Sequence, residues 1–90
     1  MKSSTATVTV ENRLGLHARP ASMLVQKANT FRSEIRIIRD GNEVNCKSLL
    51  ELLTLAAGNG TMLQVIASGE DADSAIHSIT GLFSDKFGEE

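Results

Sequence analysis

The chain has 90 residues, 41% of them hydrophobic, and a formal net charge of −2. That composition fits one small globular domain over residues 1–90, near the size at which a single core only just suffices, and the absence of a basic field excludes nucleic acid as an expected partner. One cysteine excludes an internal disulfide. No secretion-type leader or bilayer-length apolar run is read, so the expectation is a cytoplasmic protein without direct membrane insertion.

Thr5 to Glu11 alternates, with Ala6, Val8 and Val10 on one face and Thr7, Thr9 and Glu11 on the other, which predicts a strand with one buried face. Asn12-Arg13-Leu14-Gly15 reads as a loop in which Gly15 can take a backbone angle closed to other residues. A helix is predicted from about Ala18 to Thr30, with Ala21, Leu24, Val25 and Ala28 as its inner stripe and Phe31 closing it. Ser22, Gln26, Lys27 and Asn29 face water. Glu34 to Arg39 is the next strand, with Ile35 and Ile37 inward. Asp40-Gly41-Asn42 then signals a hairpin returning through Val44 to Cys46, itself read as a small buried hydrophobe.

Ser48-Leu49-Leu50-Glu51 has the capping-box pattern and opens a short helix to about Leu55, broken by Gly58-Asn59-Gly60. Met62 to Ser68 is a fourth strand, with Leu63, Val65 and Ala67 toward the core and Ile66 outside. Gly69-Glu70-Asp71 turns into a last helix whose stripe is Ala72, Ala75, Ile76, Ile79, Leu82 and Phe83, with His77 off it. Residues 84–90 form an acidic tail, expected to be partly frayed with Phe87 folded back onto the domain. The order β-α-β-β-α-β-α is α+β, and one apolar face per strand requires the helices to cover one side of a four-stranded sheet. Pattern alone leaves a ferredoxin-like arrangement in competition.

Chemistry concentrates at Gly15-Leu16-His17-Ala18-Arg19-Pro20. Pro20 falls in the first helical turn, where its missing N–H costs nothing and its fixed φ suits the helix. His17 then sits just ahead of a helix N-terminus, where unpaired N–H groups and the dipole favour an anion. A histidine there can take a phosphoryl group on a ring nitrogen and have the new charge held by those donors. The same positive end disfavours imidazolium and favours the neutral, nucleophilic ring, while Arg19 adds a fork suited to phosphate oxygens. A solvated or purely structural loop histidine is the alternative that these residues leave open. No second acid or base, Cys/His ligand set or Walker-type glycine loop accompanies the motif, so neither a metal site nor a self-sufficient enzyme is expected. A carrier whose catalytic groups arrive from partners fits.

The run Leu14-Gly15-Leu16-His17-Ala18-Arg19-Pro20-Ala21 resembles the phosphohistidine signature of the HPr family, the phosphocarriers of the bacterial phosphoenolpyruvate:sugar phosphotransferase system. Asn45-Cys46-Lys47-Ser48-Leu49-Leu50 is similar to the family's serine segment, and Ala67-Ser68-Gly69-Glu70-Asp71 to its last strand-to-helix turn. The resemblance implies an HPr-like open-faced β-sandwich, a four-stranded antiparallel sheet of order 1-4-2-3 covered on one face by three helices. In that order Ile38 and Ile66 come within reach of each other on the open face. It implies that His17 accepts a phosphoryl group on Nδ1 from enzyme I and passes it to EIIA domains, with Arg19 neutralising the charge. Gly15, Leu16, Ala18 and Pro20 are implied in partner binding. Ser48 matches the position that HPr kinase/phosphorylase modifies in some bacteria. No cofactor, no enzymatic activity of its own and a monomeric state are expected.

Short-lived complexes call for a modest apolar docking surface with a polar rim. Leu49, Leu50 and Leu53 fit, since their spacing groups them on one side of a helix too short to bury its whole circumference, while Leu52 and Leu55 point inward. Glu51 stands where the family pattern often has glycine or a basic residue. It complements the helix dipole and would repel a phosphate on Ser48, which makes Ser48 chiefly an N-cap. It also makes the rim less basic, which admits a nitrogen-related or regulatory paralogue, a phosphorylation-dependent binding module, as the alternative.

Overall fold

The structure is a computed structural model and describes residues 2–89. Strands β1 (Ser3–Thr9), β2 (Glu34–Arg39), β3 (Asn42–Asn45) and β4 (Met62–Ser68) form one antiparallel sheet in the order β1-β4-β2-β3. Helices α1 (Ala18–Ala28), α2 (Leu49–Thr54) and α3 (Ala72–Ser84) accompany it, giving an α+β open-faced sandwich. The expected order 1-4-2-3 is the observed one, and the ferredoxin-like alternative falls away.

Register explains why only one face is covered. Ala6, Val65, Ile37 and Val44 align across all four strands. They belong to the side that meets Leu24, Ala28, Leu52, Ala75, Ile79 and Phe83 in the core. The adjacent row, Thr5, Ile66, Arg36 and Asn45, lies on the open side. A slip of one residue would exchange the two rows and expose the branched side chains. Ile38 and Ile66 are both half-buried on that open side, yet they are diagonal neighbours: Ile66 faces Arg36, and Ile38 faces Gln64. The expected apolar contact is therefore at most a diagonal one.

Element ends differ from the periodicity where side chains or partners intervene. β1 begins at Ser3 because Ser3 and Ser4 pair with Ser68 and Ala67, a partner-imposed strand without an apolar signal. Val10 lies past β1 but still exchanges backbone bonds with Gly60 and Thr61, at 2.7 and 2.8 Å. α1 stops at Ala28 rather than Thr30, because the Asn29 amide and the Thr30 hydroxyl donate to the carbonyls of Val25 and Lys27 and take over their capping. Val25 and Phe31 are only partly buried. The hairpin turn has positive φ at both Asp40 (49°) and Gly41 (84°), as the right-handed strand twist demands. Cys46 is fully buried past β3, and burial raises its thiol to about 12, so it behaves as a hydrophobe.

The α1–β2 connection is tied to the start of α3. The Asp71 carboxylate accepts from the Arg32 and Ser33 amides, each at 2.9 Å, and from the Ser33 hydroxyl. Residues 84–89 are more ordered than the expected frayed tail. Lys86–Gly88 forms a short 3-10 turn, Phe87 is fully buried, and Glu89 folds back onto the domain. Glu90 lies outside the described residues.

Candidate functional site

The loop between β1 and α1 is built to present one histidine. Gly15 takes φ of 75°, and a Cβ there would stand 2.8 Å from both the Ala57 oxygen and the Gly58 Cα. Only glycine permits both the turn and the close approach. Leu16 donates its N–H to the Ala57 carbonyl at 2.8 Å and is buried, which pins the chain one residue before His17. His17 is the N-cap of α1 in extended backbone, its carbonyl accepting the first helical bond from Ala21 at 3.0 Å. Its ring makes no capping bond, so it is left for chemistry at the positive end of the helix.

Of the residues implied in partner binding around it, Gly15, Leu16 and Pro20 are buried and Ala18 is exposed. The first three place the histidine instead of offering side chains to a partner, because the turn, the core anchor and the helix start all need them inside. Leu14 is 69% exposed and shares with Leu16, His17, Ala56, Ala57 and Gly58 a shallow hollow of about 190 Å³.

Two residues join the site that the motif does not contain. The Glu89 carboxylate lies 3.0 and 3.2 Å from His17 Nε2. It also accepts from Arg19 Nη1 at 2.9 Å and from Asn12 Nδ2 at 3.0 Å. Asn12, expected simply as loop, is fully buried and donates from the same amide group to the Gly15 carbonyl at 2.7 Å. The side chains of His17 and Glu89 are 36% and 15% exposed, so the pair is sheltered but reachable. Burial pushes the Glu89 carboxyl up, but hydrogen bonds from His17, Asn12 and Arg19 outweigh it and hold the group below its ordinary value. The ring thus meets a carboxylate through Nε2. A signal for Glu89 existed only in Phe87, whose apolar side chain close to the chain end marks where the tail docks.

On α2 the expected division of leucines holds: Leu52 and Leu55 are buried, while Leu49, Leu50 and Leu53 are 39%, 78% and 38% exposed. Ser48 caps the helix, its hydroxyl accepting from the Glu51 amide at 3.3 Å. Glu51 completes only half of a capping box, since its carboxylate accepts from the Asn45 amide at 2.9 Å rather than from Ser48. The helix ends at Thr54 with Leu55 as its C-cap, close to the expected Leu55; Ala56 then turns left-handed at φ of 49°, and Arg39 donates to the carbonyls of Leu55 and Ala56 at 2.7 and 2.9 Å. Among the described residues no group of metal-ligating side chains occurs, and no helix is long and apolar enough to cross a membrane.

A family model described as the PTS HPr component phosphorylation site matches residues 4–85. The chain belongs to the HPr phosphocarrier family. It is 45% identical over 84 residues to the phosphocarrier protein HPr of Treponema pallidum, covering 93% of this chain and 96% of that one. It is 44% identical over 72 residues to the HPr-like protein Crh of Halalkalibacterium halodurans, covering 80% and 86% of the two chains. The crystal structure of an HPr from Thermoanaerobacter tengcongensis superposes with a TM-score of 0.92 at 39% identity, covering 100% of this chain and 99% of that one. The HPr match ends at Asp85, so Glu89 reaches the histidine from outside the matched segment.

Proposed function

We propose that this HPr-family chain is a phosphocarrier that takes a phosphoryl group from phosphorylated enzyme I on His17 Nδ1 and passes it to EIIA domains. The observation that carries the reading is the ring at the start of α1, uncommitted to capping, with every hydrogen bond found to it at Nε2. Nδ1 therefore keeps its lone pair for phosphorus. The chain's own groups then supply charge stabilisation and positioning, which is most of what phosphoryl transfer asks of a protein. The amides of Ala18 and Arg19 open the helix, and the Arg19 guanidinium stands beside the ring through their shared contact with Glu89. Nothing else is needed from a carrier, because the donor and acceptor proteins bring the remaining catalytic groups.

In this reading Leu49, Leu50 and Leu53 dock the partners, and the protein acts as a cytoplasmic monomer with no cofactor. Incubation with enzyme I, Mg²⁺ and phosphoenolpyruvate gives an acid-labile, base-stable adduct that His17→Ala lacks. Absence of the adduct in the unaltered chain would sink the reading.

Ser48 serves mainly as the cap of α2. Glu51, held at the head of that helix by the Asn45 amide, favours a second reading: a regulatory module, with serine phosphorylation disfavoured by the nearby carboxylate. HPr kinase and ATP test the serine. Efficient modification of Ser48 that Glu51→Gly leaves unchanged would remove the argument.

A further inference from the structure

The C-terminal tail carries a device that the phosphohistidine motif does not need in order to be recognised. Lys86 and Phe87 both sit in left-handed backbone, at φ of 54° and 55°, followed by Gly88 at 73°. Two successive side-chain-bearing residues there are unfavourable and persist only where the surroundings over-determine them. The compensation is Phe87, fully buried, with its ring 5.0 Å from that of Phe83 in an edge-on arrangement. The turn reverses the chain through bonds from the Gly88 amide to Asp85 and from the Glu89 amide to Lys86, at 3.0 and 2.8 Å. It delivers one carboxylate onto His17, Arg19 and the buried amide of Asn12.

We propose that Glu89 is a positioning residue for the phosphoryl chemistry of His17, the carboxylate half of a histidine–carboxylate pair. This deepens the reading of His17 as the carrier residue and rests on it. A carboxylate accepts only, so its contact at Nε2 puts the ring proton on Nε2 and leaves Nδ1 as the nucleophile. In the accepting step the Nδ1 lone pair attacks phosphorus, the Nδ1–P bond forms as the donor's bond to phosphorus breaks, and the donor keeps that electron pair. The ring becomes positively charged with its Nε2–H still on Glu89, where the carboxylate stabilises it as it forms. In the donating step the Nδ1–P bond breaks, its electron pair returns to Nδ1, and the ring leaves neutral with the same proton. No proton moves in either direction, and one contact assists both uptake and release.

Glu89→Gln tests this, because the amide keeps the size and an acceptor oxygen but removes the charge. Phosphorylation by enzyme I and phosphoenolpyruvate should slow by roughly tenfold, the low end of what outer partners of a functional imidazole supply. The isolated phosphoprotein should hydrolyse several-fold more slowly at neutral pH, since its ring is no longer held cationic, a readout that a merely structural role would not move. Glu89→Asp should recover part of both effects, and unchanged melting would show the fold intact. Nitrogen-15 spectra of the resting ring should show Nε2 protonated in the unaltered chain and a larger Nδ1-protonated share in Glu89→Gln. Uptake in Glu89→Gln as fast as, or faster than, in the unaltered chain would overturn the proposal, and so would an unchanged adduct lifetime. Lack of adduct in every chain would remove the carrier reading, and the ring spectra would then still decide the pairing.

Discussion

Phe87→Ala is expected to lower the stability of the domain by about 2 kcal/mol. Truncating a fully buried phenylalanine costs about 3–5 kcal/mol, and the edge-on contact with Phe83, 5.0 Å between ring centres, belongs to that loss. Against it stands the relief of the left-handed angle at Phe87, about 1–2 kcal/mol, since Glu89 still holds the tail through its bonds to Asn12, His17 and Arg19. The lost packing outweighs the relieved strain. For a domain of this size the net loss lowers the melting temperature by about 8–16 °C, since 1 kcal/mol is worth about 4–8 °C. Thermal and urea unfolding followed by circular dichroism would measure it. Lys86→Gly is the companion variant: it keeps the anchor, relieves one strained angle and should melt no lower than the unaltered chain. A loss under about 1 kcal/mol for Phe87→Ala, the low edge of ordinary point changes, would refute the anchor.

Three further outcomes follow from the geometry. Hydrogen bonds from the Ser33 hydroxyl and the Arg32 and Ser33 amides lower the Asp71 carboxyl from 3.8 to about 2. Its folded value lies below its unfolded one, so its stabilisation is complete above 3.8 and disappears as pH falls through about 2. Asp71→Asn should flatten urea stability across that window; an unchanged slope would contradict the tie. Gly15→Ala should lose about 1–2 kcal/mol to left-handed backbone alone, more with the clash at Ala57 and Gly58, and should impair phosphorylation of His17. Normal melting and normal uptake together would show that the loop can rebuild. Leu50→Asp, at a side chain 78% exposed, should change stability by less than about 0.5 kcal/mol while raising the KM of enzyme I for this chain. An unaltered KM would free α2 of a docking role.

The sheet was legible because its signal is local. Alternation in β1, β2 and β4 assigns each side chain to a face without knowledge of the partner strand. The histidine was legible for the same reason, since Gly15, Pro20 and the apolar stripe behind them are neighbours of His17 in sequence. Glu89 lies 72 residues from the ring it touches, so no spacing rule could pair them. Asn12 looked like any loop asparagine until the tail closed over it. The end of α2 at about Leu55 was legible to within a residue, whereas Arg39, which satisfies the carbonyls of Leu55 and Ala56 from β2, left no local signal.

Cys46 turns its own inertness into a gauge. With the thiol fully shielded at the end of β3 and pushed up to about 12, an alkylating reagent can reach it only while that sheet edge has let go. The rate of labelling therefore counts the openings of the β3 border, with no probe to introduce and no residue to replace.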